Sequence, residues 1–206
     1  MIARSFLRTT LAAAALAVAG GACAAAVVGQ PAPAFTATDV NGRSVSLADF
    51  KGRTVVLEWV NPGCPFVRKH YDSRNMQNTQ RSAVAQGAVW LAVNSTAETS
   101  SDYRTPQAMA QWMQQHGAAA TATLMDADGR VGRAYGARVT PHMYIIDAQG
   151  TLAYAGAIDS IPSGRIADIE AATNHVKQAL PEVIAGKPVA TPATQAYGCM
   201  IKYADG

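Results

Sequence analysis

The chain has 206 residues, 49% of them hydrophobic and 15% charged, with a formal net charge of +3. The length fits one domain plus a targeting segment. No basic run interleaves with aromatics and no stretch approaches the roughly 20 apolar residues of a membrane span, which excludes nucleic-acid binding and stable membrane insertion of the mature chain.

Residues 1–24 have the layout of a secretory signal peptide. Arg4 and Arg8 form a positive start, Leu11 to Ala19 a short apolar stretch, and Ala22-Cys23-Ala24 a small-residue cleavage site. Gly20 stands where a lipoprotein box wants a Leu-like residue, so plain cleavage is expected rather than anchoring through Cys23. Loss of Arg4 and Arg8 takes the net charge from +3 to +1. The expected location is exported, in the periplasm. Of three cysteines, Cys64 and Cys199 then remain, in an oxidising compartment. They form either a structural disulfide or a redox pair.

Residues 25–186 read as the domain and residues 187–206 as a tail. Gln30 to Phe35 is a Pro-containing lead-in, and a short element over Val45 to Phe50 ends at Lys51-Gly52. Thr54 to Val60 is β-branched and aromatic, hence a buried strand, closed by Asn61-Pro62-Gly63. The spacing predicts a helix from Pro65 to Ala85, ended by Gly87. A strand over Ala88 to Val93 and a helix over Thr105 to His116 follow. Next come a strand over Thr121 to Met125, a turn at residues 126–129 and a short helix over Arg130 to Tyr135. Met143 to Ile146 and Leu152 to Ala155 make a hairpin, and a helix over Gly164 to Ala179 closes the domain. Strands alternating with helices imply an α/β fold with a mixed central sheet flanked by helices.

Cys64 falls at the end of a strand and the start of a helix. The unpaired N–H groups and positive dipole end there favour a thiolate, and Arg68, one turn on, adds to this. Its other reading is an inert half of a disulfide. Pro141 precedes a buried strand, and Thr140-Pro141 suits a cis bond or an ordinary trans strand start. Glu58 interrupts an apolar strand. It is either a buried acid able to take a thiol proton or a solvent-facing side chain on an edge strand. His70, His116, His142 and His175 match no zinc spacing, so no metal is expected. His142 either approaches Cys64 or lies at the surface.

Several segments together resemble the redoxin branch of the thioredoxin superfamily, which includes the alkyl hydroperoxide reductase/thiol-specific antioxidant proteins. They are Pro33-Ala34-Phe35, Asp39-Val40-Asn41-Gly42, and Lys51 to Leu57. Glu58-Trp59-Val60-Asn61-Pro62-Gly63-Cys64-Pro65-Phe66-Val67, Lys69-His70-Tyr71, Thr140 to Asp147, Tyr154 to Asp159 and Tyr197-Gly198-Cys199 are similar to a peroxiredoxin-like subfamily with a single active-site cysteine. The resemblance runs from about residue 28 to the end and implies a thioredoxin-like fold. It implies that Glu58 is the buried acid and Pro141 the cis-proline. It also implies that Thr140 and Pro141 lie against Cys64 and present backbone to a thiol substrate, with Pro65 and Phe66 in the same substrate-binding set.

At the residues that carry the chemistry, the chain departs from the families it resembles. Val67 replaces the second cysteine of C-x-x-C. The Pro and Thr that precede a peroxidatic cysteine are replaced by Leu57 and Asn61, and the peroxiredoxin Arg by Pro141. Three readings follow. In the first, an antioxidant-type thiol–disulfide oxidoreductase uses Cys64 as nucleophile, Glu58 as proton shuttle and Cys199 as resolving thiol on an extended tail free to swing. Its partners are protein or small-molecule disulfides and an external thiol reductant, and it needs no cofactor. In the second, the same cysteines reduce peroxide. In the third, a Cys64–Cys199 disulfide staples a non-enzymatic binding domain.

Overall fold

The computed structural model describes residues 25–204. The expected leader, with Cys23 and its cleavage site, lies outside the described residues, as do residues 205 and 206.

The strands are β1 (Thr36–Asp39), β2 (Ser44–Ser46), β3 (Val55–Trp59), β4 (Val89–Asn94), β5 (Ala122–Met125), β6 (Val139–Thr140), β7 (His142–Ile146), β8 (Leu152–Gly156) and β9 (Cys199–Met200). The helices are α1 (Pro65–Asp72), α2 (Asn75–Ala85), α3 (Pro106–Gln115), α4 (Arg130–Tyr135) and α5 (His175–Ile184). One sheet runs β2-β1-β5-β4-β3-β7-β8, and β6 pairs with β9 in a separate ladder. β3, β4 and β5 are parallel, whereas β7, β8, β1 and β2 join antiparallel. This is the mixed sheet flanked by helices that the strand–helix alternation implies.

Side chains along the central strands alternate between two cores, as the period of two requires. Val56, Val60, Trp90, Ala92 and Ile145 meet α1, α2, α3 and α5 on one face. Val55, Leu57, Trp59, Val89 and Leu91 meet α4 and Phe35 on the other. Both faces are covered, so the strands are continuous apolar runs. Met76 of α2 is fully buried, and truncating it to Ala would cost about 2–5 kcal/mol.

Two predicted helices are corrected. The single helix over residues 65–85 is two, because Arg74 takes a left-handed conformation (φ 62°) between them. Ser73 and Asn75 flank the break, and their side chains bond locally instead of leaving the backbone to continue: Asn75 N–H donates to Ser73 Oγ. The closing helix covers His175–Ile184 rather than residues 164–179. Its start is fixed by Asn174, whose side chain accepts the Lys177 N–H at 2.9 Å. Pro181 lies inside it and leaves the Lys177 carbonyl unpaired within the helix, tolerable because Lys177 is exposed. The predicted element over residues 45–50 is the end of β2 followed by a 3-10 turn.

The tail is also different from the extended, swinging segment expected. Its described residues are docked at several points. Thr194 bonds Tyr154 and the Ala157 N–H, β9 pairs with β6, and the Lys202 carbonyl accepts the Ala97 N–H. Tyr203 donates to the Ala137 carbonyl at 2.8 Å. The Pro and Thr content hid these anchors, which combine backbone bonds with the hydroxyls of Thr194 and Tyr203.

Candidate functional site

Everything around Cys64 is set by the turn after β3. Asn61 Oδ1 accepts the Gly63 N–H at 2.7 Å, and the Cys64 N–H donates to the Asn61 carbonyl at 3.0 Å. Asn61 Nδ2 is engaged by Thr96 Oγ1 at 2.9 Å, so both ends of the amide are held. Cys64 is the extended N-cap of α1, with Pro65 just inside the helix. Its sulfur accepts no hydrogen bond from the helix N–H groups. The thiol donates instead to the Thr140 carbonyl at 3.0 Å, and the residue is only 2% exposed. The Thr140–Pro141 bond is cis.

Cys199 is brought to the same point. It stands directly opposite Thr140 in the β6–β9 ladder. Both thiols are free. Burial, then the neighbouring Cys64 thiol and its charge, push the Cys199 thiol up to about 12, opposed by the nearby Phe66 backbone N–H. Thus Cys64, Cys199, Thr140, Pro141 and Phe66 converge. Pro65 is exposed beside them. A cavity of about 40 Å³ at this point is lined by Asn61, Cys64, Thr96, Asp102, Thr140 and Cys199, among others.

Glu58 lies on a central strand, between β4 and β7, and is completely buried, so the solvent-facing alternative does not hold. Oε1 accepts from Tyr71 OH at 2.8 Å, and Oε2 accepts from Gln80 Nε2 at 2.9 Å and Trp90 Nε1 at 2.8 Å. Burial raises its carboxyl to about 7, against the pull of those three donors. Among the described residues none of its hydrogen bonds goes to Cys64. Arg68 is exposed, with its guanidinium 3.9 Å from Asp72 at the surface. His142 stacks on Tyr144 with ring centroids 4.5 Å apart, and burial lowers it to about 4. Among the described residues no group of three or more His, Cys, Asp or Glu side chains is placed to hold a metal.

A buried charged cluster beside the site was not found from sequence. Lys69 of α1 pairs with Asp159 at 3.0 Å and donates to the Ile161 carbonyl at 3.1 Å. Tyr197, two residues before Cys199, donates to Asp159 and packs edge-on against Phe66 at 5.8 Å. His70 accepts from Asn75 at 2.8 Å and is lowered to about 4, first by burial, so it is neutral near pH 7. These residues were visible only as parts of family-like strings. A lone Lys in a helix reads as a solvated side chain.

Residues 28–155, more than half of the chain, match the AhpC/TSA family. The chain belongs to that family. This AhpC/TSA-family member has a thioredoxin-like fold. It is similar to a hypothetical protein of Sinorhizobium meliloti at 25% identity, over 89% of this chain and 98% of that one, with a TM-score of 0.75. It is likewise similar to an uncharacterized conserved protein of Geobacillus kaustophilus at 26% identity, over 87% and 94%, with a TM-score of 0.74. A candidate DsbE-type thiol:disulfide interchange protein of Chlorobium tepidum matches at 25% identity over 64% of this chain and 85% of its own, with a TM-score of 0.51. No curated protein matches it.

Proposed function

We propose that this AhpC/TSA-family chain is an exported thiol–disulfide oxidoreductase with Cys64 as nucleophile and Cys199 as resolving thiol. The observation that carries the reading is the meeting of two free thiols across Thr140. The Cys64 thiolate attacks a disulfide, releasing one thiol and forming a mixed disulfide. Cys199 then attacks the Cys64 sulfur, releasing the second thiol and closing Cys64–Cys199. The substrate disulfide gains two electrons and the protein dithiol loses them. An external thiol returns the protein to its reduced state.

Thr140 and Pro141 form the wall against which the sulfurs meet. Glu58, raised to about 7, exchanges a proton near neutral pH and is assigned the role of proton shuttle for Cys64, acting at a remove because its own hydrogen bonds go to Tyr71, Gln80 and Trp90. The likeness to a candidate thiol:disulfide interchange protein supports the same reaction class. The test is Cys199→Ser: reduced variant mixed with a disulfide should accumulate one adduct per chain on Cys64. Continued turnover without an adduct would remove Cys199 from the mechanism.

The docked tail favours a second reading, in which the same two thiols close a permanent staple and the domain only binds. A long loop closed this way stabilises by about 4–5 kcal/mol in the chain-entropy model. Peroxide reduction draws no support from the site, because the Asn61 amide that replaces the peroxiredoxin Thr is engaged at both ends.

A further inference from the structure

The tail does more than deliver Cys199. Thr140 sits at the edge of β6, and a cysteine in an extended polypeptide would reach Cys64 by pairing its own backbone with that edge. Cys199 does this within the chain: its backbone opposes Thr140, and it lines the same small cavity as Cys64. The fit is close. Gly198 has φ +144°, and a Cβ added there would overlap the Thr140 carbonyl oxygen. On one side the strap is tied by Tyr197 to Asp159, and on the other by the Ile201 N–H to the Arg138 carbonyl at 2.9 Å. What remains open beside Cys64 is a small cavity of about 40 Å³.

We infer that residues 197–200 are an internal substrate that holds the strand-pairing edge against polypeptides, so that the resting protein exchanges with small-molecule disulfides and discriminates against protein disulfides. The inference rests on the thiol-exchange reading. One sulfur and its methylene can enter the cavity, whereas a disulfide within a folded chain needs its flanking backbone at Thr140, and that position is taken. A polypeptide competes only in the fraction of molecules whose strap has lifted, and its apparent rate falls by that fraction.

The test uses the Cys199→Ser chain, in which the adduct on Cys64 accumulates. The reduced protein is mixed with hydroxyethyl disulfide or with insulin, and adduct formation is followed by mass spectrometry. The small disulfide should react at least about tenfold faster than insulin, and adding Gly198→Ala should raise the insulin rate about tenfold relative to the small-disulfide rate. Tyr197→Phe keeps the ring against Phe66 and loses the hydroxyl's bond to Asp159 together with its 3.5 Å contacts to Lys69 and His70. It should shift the ratio in the same direction by less, and it serves if the Gly198 variant does not fold. Equal rates with the strap intact, or a ratio unmoved by the strap variants, overturn the inference while leaving thiol exchange standing. Reaction with neither disulfide in any variant overturns the exchange reading and this inference with it.

Discussion

The thiol of Cys64 donates to the carbonyl of Thr140 at 3.0 Å, and the same Thr140 is the ladder partner of Cys199. One backbone unit therefore holds the two sulfurs together across 135 residues of chain. The pairing is encoded at the ends of elements: an N-cap on α1, a two-residue strand before Pro141, and a two-residue strand in the tail.

The neighbour relation sets the reactivity of Cys199. Burial first, then Cys64, keep it protonated, with its thiol at about 12. In the reduced wild type, Cys199 should alkylate with iodoacetamide at pH 8 at least about tenfold more slowly than a free cysteine, since the thiolate is the attacking form. Cys64→Ser removes the second and third causes but not burial, so the rate should rise and still stay below that of the free amino acid. Mass spectrometry of timed aliquots reads both rates. Fast alkylation in the wild type would contradict the contact.

Glu58 controls stability against pH. Its carboxyl moves from the usual 4.5 to about 7 on folding, so the folded chain binds the extra proton between those values and stability falls as pH rises through that window. The full effect corresponds to about 3 kcal/mol. His70 and His142 act oppositely. Both drop from 6.5 to about 4, so the unfolded chain binds more protons there and stability rises with pH between about 4 and 6.5. These three groups together place a maximum near pH 6.5. Glu58→Gln should steepen the rise below that pH and flatten the fall from 6.5 to 7. Urea unfolding at half-unit pH steps measures this, and an unchanged pH profile would show that Glu58 is charged in the folded chain.

The Lys69–Asp159 pair is a liability unless complete. Lys69→Met leaves the buried Asp159 with the Tyr197 hydroxyl and the Ile161 N–H as its close donors, and should cost about 3–5 kcal/mol. Adding Asp159→Leu should recover part of that loss, because no charge is then stranded although the Tyr197 hydroxyl and the Ile161 N–H lose their acceptor. Denaturant midpoints for the two variants decide the matter; a double variant as unstable as the single would mean that the pair itself, not the stranded carboxylate, holds this corner.

Most of the sheet was legible because its strands are apolar runs bounded by turn residues, as Thr54 to Val60 and the hairpin around Gly150 illustrate. Cys64, Thr140 and Pro141 were legible because each sits at such a boundary. The break at Arg74 was not, since a left-handed residue that is neither Gly nor Asn leaves little trace in composition. The prediction of α5 missed both ends: it began at Gly164 rather than His175, and it stopped at Ala179 although the helix runs on through Pro181 to Ile184. The Lys69–Asp159–Tyr197 cluster joins residues 90 and 128 positions from Lys69, and no local pattern carries such a pairing.

A redox titration of the chain with thiol trapping, read by mass spectrometry, decides whether Cys64 and Cys199 form a catalytic couple. One two-electron couple is expected between about −120 and −270 mV, the range of catalytic dithiols. A couple that stays oxidised below about −300 mV would contradict it and make the pair a structural staple.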